Sequence, residues 1–156
     1  MIAILHSVRS LHNVGSIFRT ADAAGIEKIF LCGITPAPVD PFGSVRQKLG
    51  KVSLGAEKSV LWEKVRSTSK LIDQLKNEGY RIFALEQNKN SISYKKIPVL
   101  TRQSRVALVV GNEVRGVSSA ILKKADKIIE LPMRGKKESL NVSVAFGIAA
   151  YKLIYG

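Results

Sequence analysis

Short apolar runs alternate along this chain with longer segments in which apolar residues recur every three or four positions. Such runs are typical of buried strands, and the recurrence is typical of amphipathic helices. Strands are predicted at residues 1–5, 27–32, 81–86, 105–111 and 127–131, and helices at 13–24, 62–78, 118–124 and 141–155. Strands that alternate with helices predict an α/β fold, with a mostly parallel sheet and helices on both faces. A length of 156 residues predicts one domain, 1–156.

Polar residues and glycines predict where the first helix begins and ends. Asn13 is a good N-cap, and Gly25 follows the last apolar position, where glycine commonly ends a helix. Residues 33–59 carry Pro, Gly and basic side chains with little periodicity, and residues 88–99 are polar and basic. Both stretches are predicted as loops, and a loop as long as the first usually has a function.

The last predicted helix is apolar on most of its circumference. Its apolar residues are Val142, Val144, Ala145, Phe146, Ile148, Ala149, Ala150, Leu153 and Ile154. A helix of this kind must be covered on more than one side. In so short a chain a partner subunit could supply one of the covers, and this is the first indication of a dimer.

The charge points to a polyanionic partner. There are 25 Lys and Arg residues against 12 Asp and Glu residues, a formal net charge of +13. RNA, DNA and an anionic membrane would all suit such an excess, although a merely basic protein would show the same count. No apolar run reaches the roughly 18 residues that cross a bilayer, and the first ten residues are too short and too early charged for a signal peptide.

Several common chemistries find no support in the sequence. There is no phosphate-binding loop, no G-x-G-x-x-G motif and no G-x-S-x-G motif. His6 and His12 have no clustered Cys or acidic partner, so no metal site is expected. The single cysteine, Cys32, excludes an internal disulfide framework, and its apolar neighbours predict a small buried side chain rather than a nucleophile. A reducing cytoplasm is the expected location.

Three separated segments, around Asn13, Asn112 and Asn141, carry candidate chemistry. The first, N-V-G-S-I-F-R-T-A-D-A at 13–23, opens a predicted helix, where free backbone N–H groups suit a phosphate. The second, V-G-N-E-V-R-G at 110–116, follows a buried strand, and α/β sheets bind ligands at the carboxyl ends of strands. The third joins L-P-M-R-G at 131–135 to S-L-N-V-S-V-A at 139–145. Each segment alone also reads as an ordinary helix start or turn, with Ser139 a candidate cap of the last helix.

In this order and spacing, the three segments resemble the three motifs of the SpoU family of RNA ribose methyltransferases, part of the SPOUT superfamily. The resemblance runs from Leu11 to Ala150, and no departure is apparent at the motif positions. The chain looks like the minimal catalytic domain without an added RNA-binding extension.

The resemblance implies a particular fold and cofactor. Members of the family tie the C-terminal part of the α/β domain into a deep trefoil knot, bind S-adenosylmethionine in the knot and pair as homodimers through the final helix. By position, the residues expected to hold the cofactor are Leu85, Glu86, Gly111, Leu131, Met133 and Leu140.

The implied reaction is attack of a ribose 2′-oxygen on the activated methyl group. The residues that the resemblance puts around the target ribose are Asn13, Arg19, Glu113, Ser139 and Asn141. Arg19 corresponds to the proposed base, or base-assisting group, of the family. A guanidinium normally stays protonated, so anchoring a phosphate is the physically easier role.

The RNA would meet basic side chains in two stretches. Those expected to contact it are Arg46, Lys48, Lys51, Arg134, Lys136 and Lys137, for which plain solvated charge is the alternative. Transfer RNA and ribosomal RNA both remain open as substrates, as does the nucleotide. Three rival functions also remain: a non-catalytic RNA-binding protein of the same fold, a SPOUT enzyme that methylates a base, and a basic ribosomal protein without cofactor.

Overall fold

The computed structural model describes residues 1–156 as one continuous α/β unit. Its elements in chain order are β1 (Ile2–His6), α1 (Leu11–Ala24), β2 (Lys28–Cys32), α2 (Gln47–Ser53), α3 (Ala56–Ser59), β3 (Leu61–Val65), α4 (Thr68–Asn77), β4 (Arg81–Leu85), β5 (Ile92–Ser93), a 3-10 turn (Tyr94–Lys96), β6 (Val106–Val110), α5 (Ser119–Leu122), β7 (Lys127–Glu130) and α6 (Val142–Tyr155).

The seven strands form one sheet in the order β3-β2-β1-β6-β4-β7-β5. Every pairing in it is parallel, so the predicted sheet is confirmed and is parallel throughout. Strand β6 lies in the centre and is buried at all five positions. Because helices cover both faces of a parallel sheet, a central strand is buried on both sides, and this explains the nearly continuous apolar sequence of β6.

Two apolar cores, one on each face of the sheet, confirm that helices cover both faces. Along β6, Val106, Leu108 and Val110 belong to the larger core, which also takes in the buried sides of α1 and α6. The alternate residues Ala107 and Val109 belong to the smaller core, with buried residues of α4 and α5. The alternation follows from the two-residue side-chain period of a strand.

The prediction of a helix over 62–78 is wrong in its first part. Residues Leu61–Val65 form the edge strand β3, paired with β2, and the helix α4 begins only at Thr68 after the cap residue Ser67. The side chains of β3 are mostly exposed, so its sequence lacks the apolar run that predicts a buried strand. The two-residue strand β5 was likewise hidden in the predicted loop 88–99.

Two further local predictions need correction. Helix α1 begins at Leu11, and its cap is Ser10, whose hydroxyl oxygen accepts a hydrogen bond from the Asn13 N–H. Asn13 therefore lies inside the first turn and is not the cap. The end of the helix at Gly25, in the left-handed conformation, is confirmed. The predicted loop 33–59 contains the short helices α2 and α3.

Helix α6 keeps one apolar face uncovered. Phe146, Ala149, Ala150 and Leu153 are buried against the larger core. The other face leaves large apolar side chains exposed to solvent, namely Val144, Ile148, Tyr151 and Tyr155. No helix in the structure is both long enough and apolar enough to cross a membrane.

Candidate active site

A cleft of about 450 Å³ lies where β4, β6 and β7 reach their carboxyl ends. Ligand sites of parallel α/β sheets are usual at this edge. The cleft is lined by all six residues expected around a cofactor, Leu85, Glu86, Gly111, Leu131, Met133 and Leu140. Three of the residues expected around the substrate, Glu113, Ser139 and Asn141, line it as well. The second and third motif segments therefore share one cavity.

The loop after β6 forms one wall of the cleft and is held from three sides. Asn112 and Gly116 exchange backbone hydrogen bonds of 3.1 and 2.9 Å across the turn. The Asn112 side-chain amide donates to the Ser7 carbonyl oxygen at 2.8 Å, which ties the turn to the end of β1. One oxygen of the Glu86 carboxylate accepts the Val117 N–H at 2.8 Å. Glu86 thus braces the wall of the cleft as well as lining it.

A chain of hydrogen bonds joins the three motif segments at the mouth of the cleft. One Glu113 carboxylate oxygen accepts hydrogen bonds from the Ser10 N–H at 3.0 Å and from the Asn13 side-chain amide at 3.1 Å, while the other accepts the Arg9 N–H at 3.0 Å. The Asn13 side-chain oxygen accepts the Asn141 amide at 3.0 Å. Residues one hundred or more positions apart in sequence are thereby fixed relative to one another.

Asn141 has a second contact that sets where α6 begins. Its side-chain oxygen accepts the Ser143 N–H at 2.9 Å, so Asn141 is the N-cap of α6. Ser139, the candidate cap from sequence, lies two residues before the cap, is exposed and makes no side-chain hydrogen bond. The Ser139 hydroxyl at the cleft is therefore unpaired within the protein.

The Glu113 carboxylate is held in its charged form. Partial burial by itself raises its pKa, but the hydrogen bonds from Arg9, Ser10 and Asn13 together lower the pKa of Glu113 below its ordinary value of 4.5. A carboxylate whose pKa is lowered by folding stabilises the native state above the unfolded pKa, and this contribution disappears as the pH falls through the folded pKa.

Glu113→Gln should therefore lower stability at pH 7 by about 1 kcal/mol, the usual scale for a partly exposed charge-assisted hydrogen-bond set. Below the folded pKa the wild type has lost the same contribution, so the difference between the two proteins should shrink. Urea unfolding at several pH values measures this. Glu138→Gln is the matched control, because the Glu138 side chain makes no hydrogen bond. A difference that is constant with pH would contradict this explanation.

Two expected site residues, Asn13 and Arg19, do not line the cleft. Of the two, only Arg19 also lies outside the hydrogen-bond chain that joins the motif segments. It lies on α1 six residues after Asn13, about 9 Å further along the axis at 1.5 Å per residue. Its side chain is exposed and forms no ion pair. Asn13, by contrast, is buried, and its side chain hydrogen-bonds Glu113 of the second motif segment and Asn141 of the third.

The six basic residues expected to meet RNA have different surroundings. Lys48 and Lys51 on α2 line a second cleft of about 480 Å³, together with Arg9 and His12. The Arg46 Nε atom donates to the carbonyl oxygens of the preceding loop, so its guanidinium is partly used inside the protein. The remaining three are exposed between β7 and α6, namely Arg134, Lys136 and Lys137. None of the six pairs with a carboxylate.

Several residues that line the first cleft, at the carboxyl ends of β4, β6 and β7, were not predicted from the sequence; this cleft is called the main cleft below. Gln87, Glu130, Val142 and Ala145 are among them. Gln87 and Glu130 stand at or just beyond the carboxyl ends of β4 and β7, so the rule that placed Gly111 at the site would have found them. The two residues of α6 carry no such signal, because a buried helix face looks the same beside a ligand as beside a core.

The structure also bears on thiol chemistry at Cys32 and on metal binding. Burial raises the pKa of the Cys32 thiol to about 11, which leaves no thiolate at neutral pH and confirms the expectation of a small buried side chain. No group of three or more His, Cys, Asp or Glu side chains is arranged to hold a metal ion.

The fold and the cleft define a class of protein, a parallel α/β domain with a ligand site at the carboxyl ends of its central strands. The sequence profile of the SpoU rRNA methylase family matches residues 1–151, and the chain belongs to that family.

Three solved structures are similar to this chain. A TrmH/SpoU tRNA modifying enzyme of A. aeolicus is 33% identical with a TM-score of 0.82, over 97% of this chain and 72% of that one. An AdoMet-bound rRNA methyltransferase of Sinorhizobium meliloti is 28% identical with a TM-score of 0.84, over 97% and 54%. An RNA 2′-O ribose methyltransferase is 27% identical with a TM-score of 0.81, over 98% and 55%.

The curated relatives are longer than this chain. A Staphylococcus aureus protein assigned to the TrmH family of tRNA/rRNA methyltransferases is 34% identical over 152 residues, which are 97% of this chain and 57% of that protein. The chain thus spans somewhat more than half the length of the curated relatives it matches.

Proposed function

We propose that this protein transfers a methyl group from S-adenosylmethionine to a ribose 2′-hydroxyl of transfer or ribosomal RNA. The single observation that carries the proposal is that two distant motif segments line one cleft, and that Asn13 of the first segment is hydrogen-bonded to Glu113 and Asn141 of the other two. Membership of the family, and relatives that bind AdoMet or methylate RNA at the 2′-oxygen, support it. Residues 1–156 are proposed to form one methyltransferase domain.

The cleft suits S-adenosylmethionine in size and in chemistry. Pockets for small organic ligands have volumes of roughly 300–1,000 Å³ and are mostly apolar with a few polar groups. Here Leu85, Leu131 and Leu140 offer apolar walls, and Gly111 brings the backbone of the loop after β6 to the cleft. Bound S-adenosylmethionine would supply an activated methyl group, so the protein's own task is to position and deprotonate the hydroxyl.

The substrate residues are proposed to act as one preorganised group. Glu113 holds Asn13 and the 9–10 backbone in place, and Asn13 in turn orients Asn141. The unpaired Ser139 hydroxyl is then free to hydrogen-bond the ribose or its phosphate. Arg19 is proposed to assist removal of the hydroxyl proton, either directly or by anchoring the adjacent phosphate, and the second role is easier for a guanidinium.

The trefoil knot expected for the family is proposed for the C-terminal part of this chain. Its support is the strand order, because β7 is inserted between β4 and β5, which both precede it in sequence. The segment between β7 and α6 then lines the same cleft as the loops after β4 and β6. A cofactor bound in this cleft would thus contact the three segments that follow β4, β6 and β7.

A homodimer through α6 is proposed because this helix leaves an apolar face uncovered. Ile148→Asp should convert the dimer to a monomer, since a buried charge without a partner is strongly disfavoured. Sedimentation of wild type and variant measures this. Leu61→Asp, at an exposed apolar position on the edge strand β3, is the matched control and should remain dimeric. A wild type that sediments as a monomer would contradict the proposal.

Calorimetric titration with S-adenosylmethionine tests the cofactor assignment directly. We expect one molecule to bind each chain, and Leu140→Asp, which adds charge to an apolar wall, to weaken binding. A wild type that does not bind the cofactor would refute the enzymatic proposal. It would favour the non-catalytic RNA-binding alternative, which the same fold and charge allow.

A further inference from the structure

Phe42 is almost completely exposed, at 93% of its surface, which is the highest value among the large apolar residues. It stands at the tip of a hairpin between β2 and α2. Hydrogen bonds hold the turn that carries Phe42, since one Asp40 carboxylate oxygen accepts both the Phe42 and the Ser44 N–H at 2.9 Å. The backbone closes the turn as well, with the Asp40 N–H donating to the Ser44 carbonyl at 2.8 Å.

The base of this hairpin is fastened by Arg46. Its Nε atom donates to the carbonyl oxygens of Ala37 and Val39, and its backbone N–H donates to that of Pro38 at 2.8 Å. The aromatic ring is therefore presented by an ordered turn. Binding of a ligand that stacks on the ring would therefore not carry the entropic cost of ordering the loop.

The hairpin leads directly into α2, and α2 forms one side of the second cleft. Lys48 and Lys51 line that cleft opposite Arg9 and His12, and no carboxylate lines it. Ser10 also lines it. Because the Arg9 and Ser10 N–H groups donate to Glu113, the cleft adjoins the hydrogen-bond chain of the active site.

A cationic groove on α2, together with an exposed aromatic ring on the hairpin that leads into α2, matches the chemistry of single-stranded nucleic acid. Cations follow the phosphates, and a ring stacks on an unpaired base of any sequence. We propose that this surface holds a single-stranded segment of the substrate RNA, with phosphates in the cleft between α1 and α2 and one unpaired base stacked on Phe42. The inference rests on the proposed function, because it makes RNA the substrate of the adjoining site.

Binding of a fluorescent single-stranded oligoadenylate, without cofactor, tests the stacking. Phe42→Ala should weaken binding by about 5- to 150-fold, the range for loss of one stacked base. Phe42→Tyr keeps the aromatic face and should bind like the wild type. Phe42→Leu keeps the apolar volume but lacks the ring, and should be as weak as Phe42→Ala. Leu61→Ala, which also removes an exposed apolar side chain, is the control and should change nothing.

The charges are tested by the salt dependence of the same binding. Replacing Lys48 and Lys51 together by alanine should reduce the slope of log affinity against log salt by about 0.7 for each lost phosphate contact. Lys70→Ala, on α4 at the opposite face of the sheet, should leave the slope unchanged. An RNA duplex should be insensitive to Phe42→Ala, since its bases are not free to stack on the ring.

The outcomes separate this inference from the proposed function. Unchanged oligoadenylate binding in Phe42→Ala, or wild-type binding in Phe42→Leu, overturns the stacking, and the second result would indicate an apolar contact with the RNA that needs no aromatic ring. Either result leaves methyl transfer standing if the cofactor titration succeeds. If the cofactor does not bind while the Phe42 series behaves as expected, the RNA site stands and the enzymatic proposal fails.

Discussion

Replacing Arg19 with alanine is expected to reduce methyl transfer by about 100-fold or more, the usual effect of removing a group that stabilises charge in a transition state. Cofactor binding should not change, because Arg19 is exposed, forms no ion pair and does not line the main cleft. The two effects together would assign Arg19 to the substrate side of the reaction. Methyl transfer to RNA and calorimetric titration with S-adenosylmethionine measure them separately.

Two further variants help to interpret this result, one to distinguish the possible roles of Arg19 and one as a control. Arg19→Lys keeps the charge but loses the planar fork, so partial activity would favour phosphate anchoring by a bidentate guanidinium. Arg102→Ala is the matched control, since Arg102 is also exposed and lies before β6, at the opposite edge of the sheet from the cleft. Wild-type activity in Arg19→Ala would refute the role taken from the family resemblance.

Replacing Gly111 with alanine is expected to abolish cofactor binding. A Cβ atom at this position would lie 2.3 Å from the Gly116 carbonyl carbon and 2.4 Å from both the Gly116 oxygen and the Val117 nitrogen. These are backbone atoms, and the Asn112–Gly116 hydrogen bonds and Glu86 hold them in place. The loop must shift, and it forms a wall of the cleft. We expect affinity to fall at least about 100-fold and stability to fall by about 1–3 kcal/mol.

Gly147→Ala provides the control for this substitution. Its Cβ would meet only the Thr20 methyl group, at an ordinary 3.5 Å, and alanine is the better helix former inside α6. This variant should keep both its cofactor affinity and its thermal stability. If Gly111→Ala bound the cofactor as well as Gly147→Ala does, the main cleft would not be the cofactor site.

The parts of the fold that were predictable are those whose sequence pattern has a local cause. Strand β6 is buried on both faces, so its five residues had to be apolar. Strand β3 forms at the edge only because β2 is beside it, and its Glu63 and Lys64 are polar and exposed, so nothing local separates it from a helix. The order of the strands depends on pairings between distant segments, which periodicity does not contain.

The site was predictable to a similar degree. Nine of the eleven cofactor and substrate residues that the family resemblance named line the cleft, yet the resemblance gave no reason for Asn13 to be buried. Ser10 and Asn13 are both good caps, and the choice between them is made by tertiary contacts, because the Asn13 side chain is needed between Glu113 and Asn141. The exposure of the Phe42 ring had no sequence signal either, since an exposed phenylalanine looks like a core residue until the fold is known.

The proposed acceptor of the methyl group is a ribose oxygen, and the methylated nucleoside in the product RNA shows whether this is so. The protein would be incubated with isotopically labelled S-adenosylmethionine and total RNA from cells that lack this gene, and the RNA digested to nucleosides for mass spectrometry. We predict a labelled nucleoside that fragments into an unlabelled base and a ribose carrying the labelled methyl group. Label on the base, or no label in the RNA under conditions where the cofactor binds, would contradict ribose methylation by this protein.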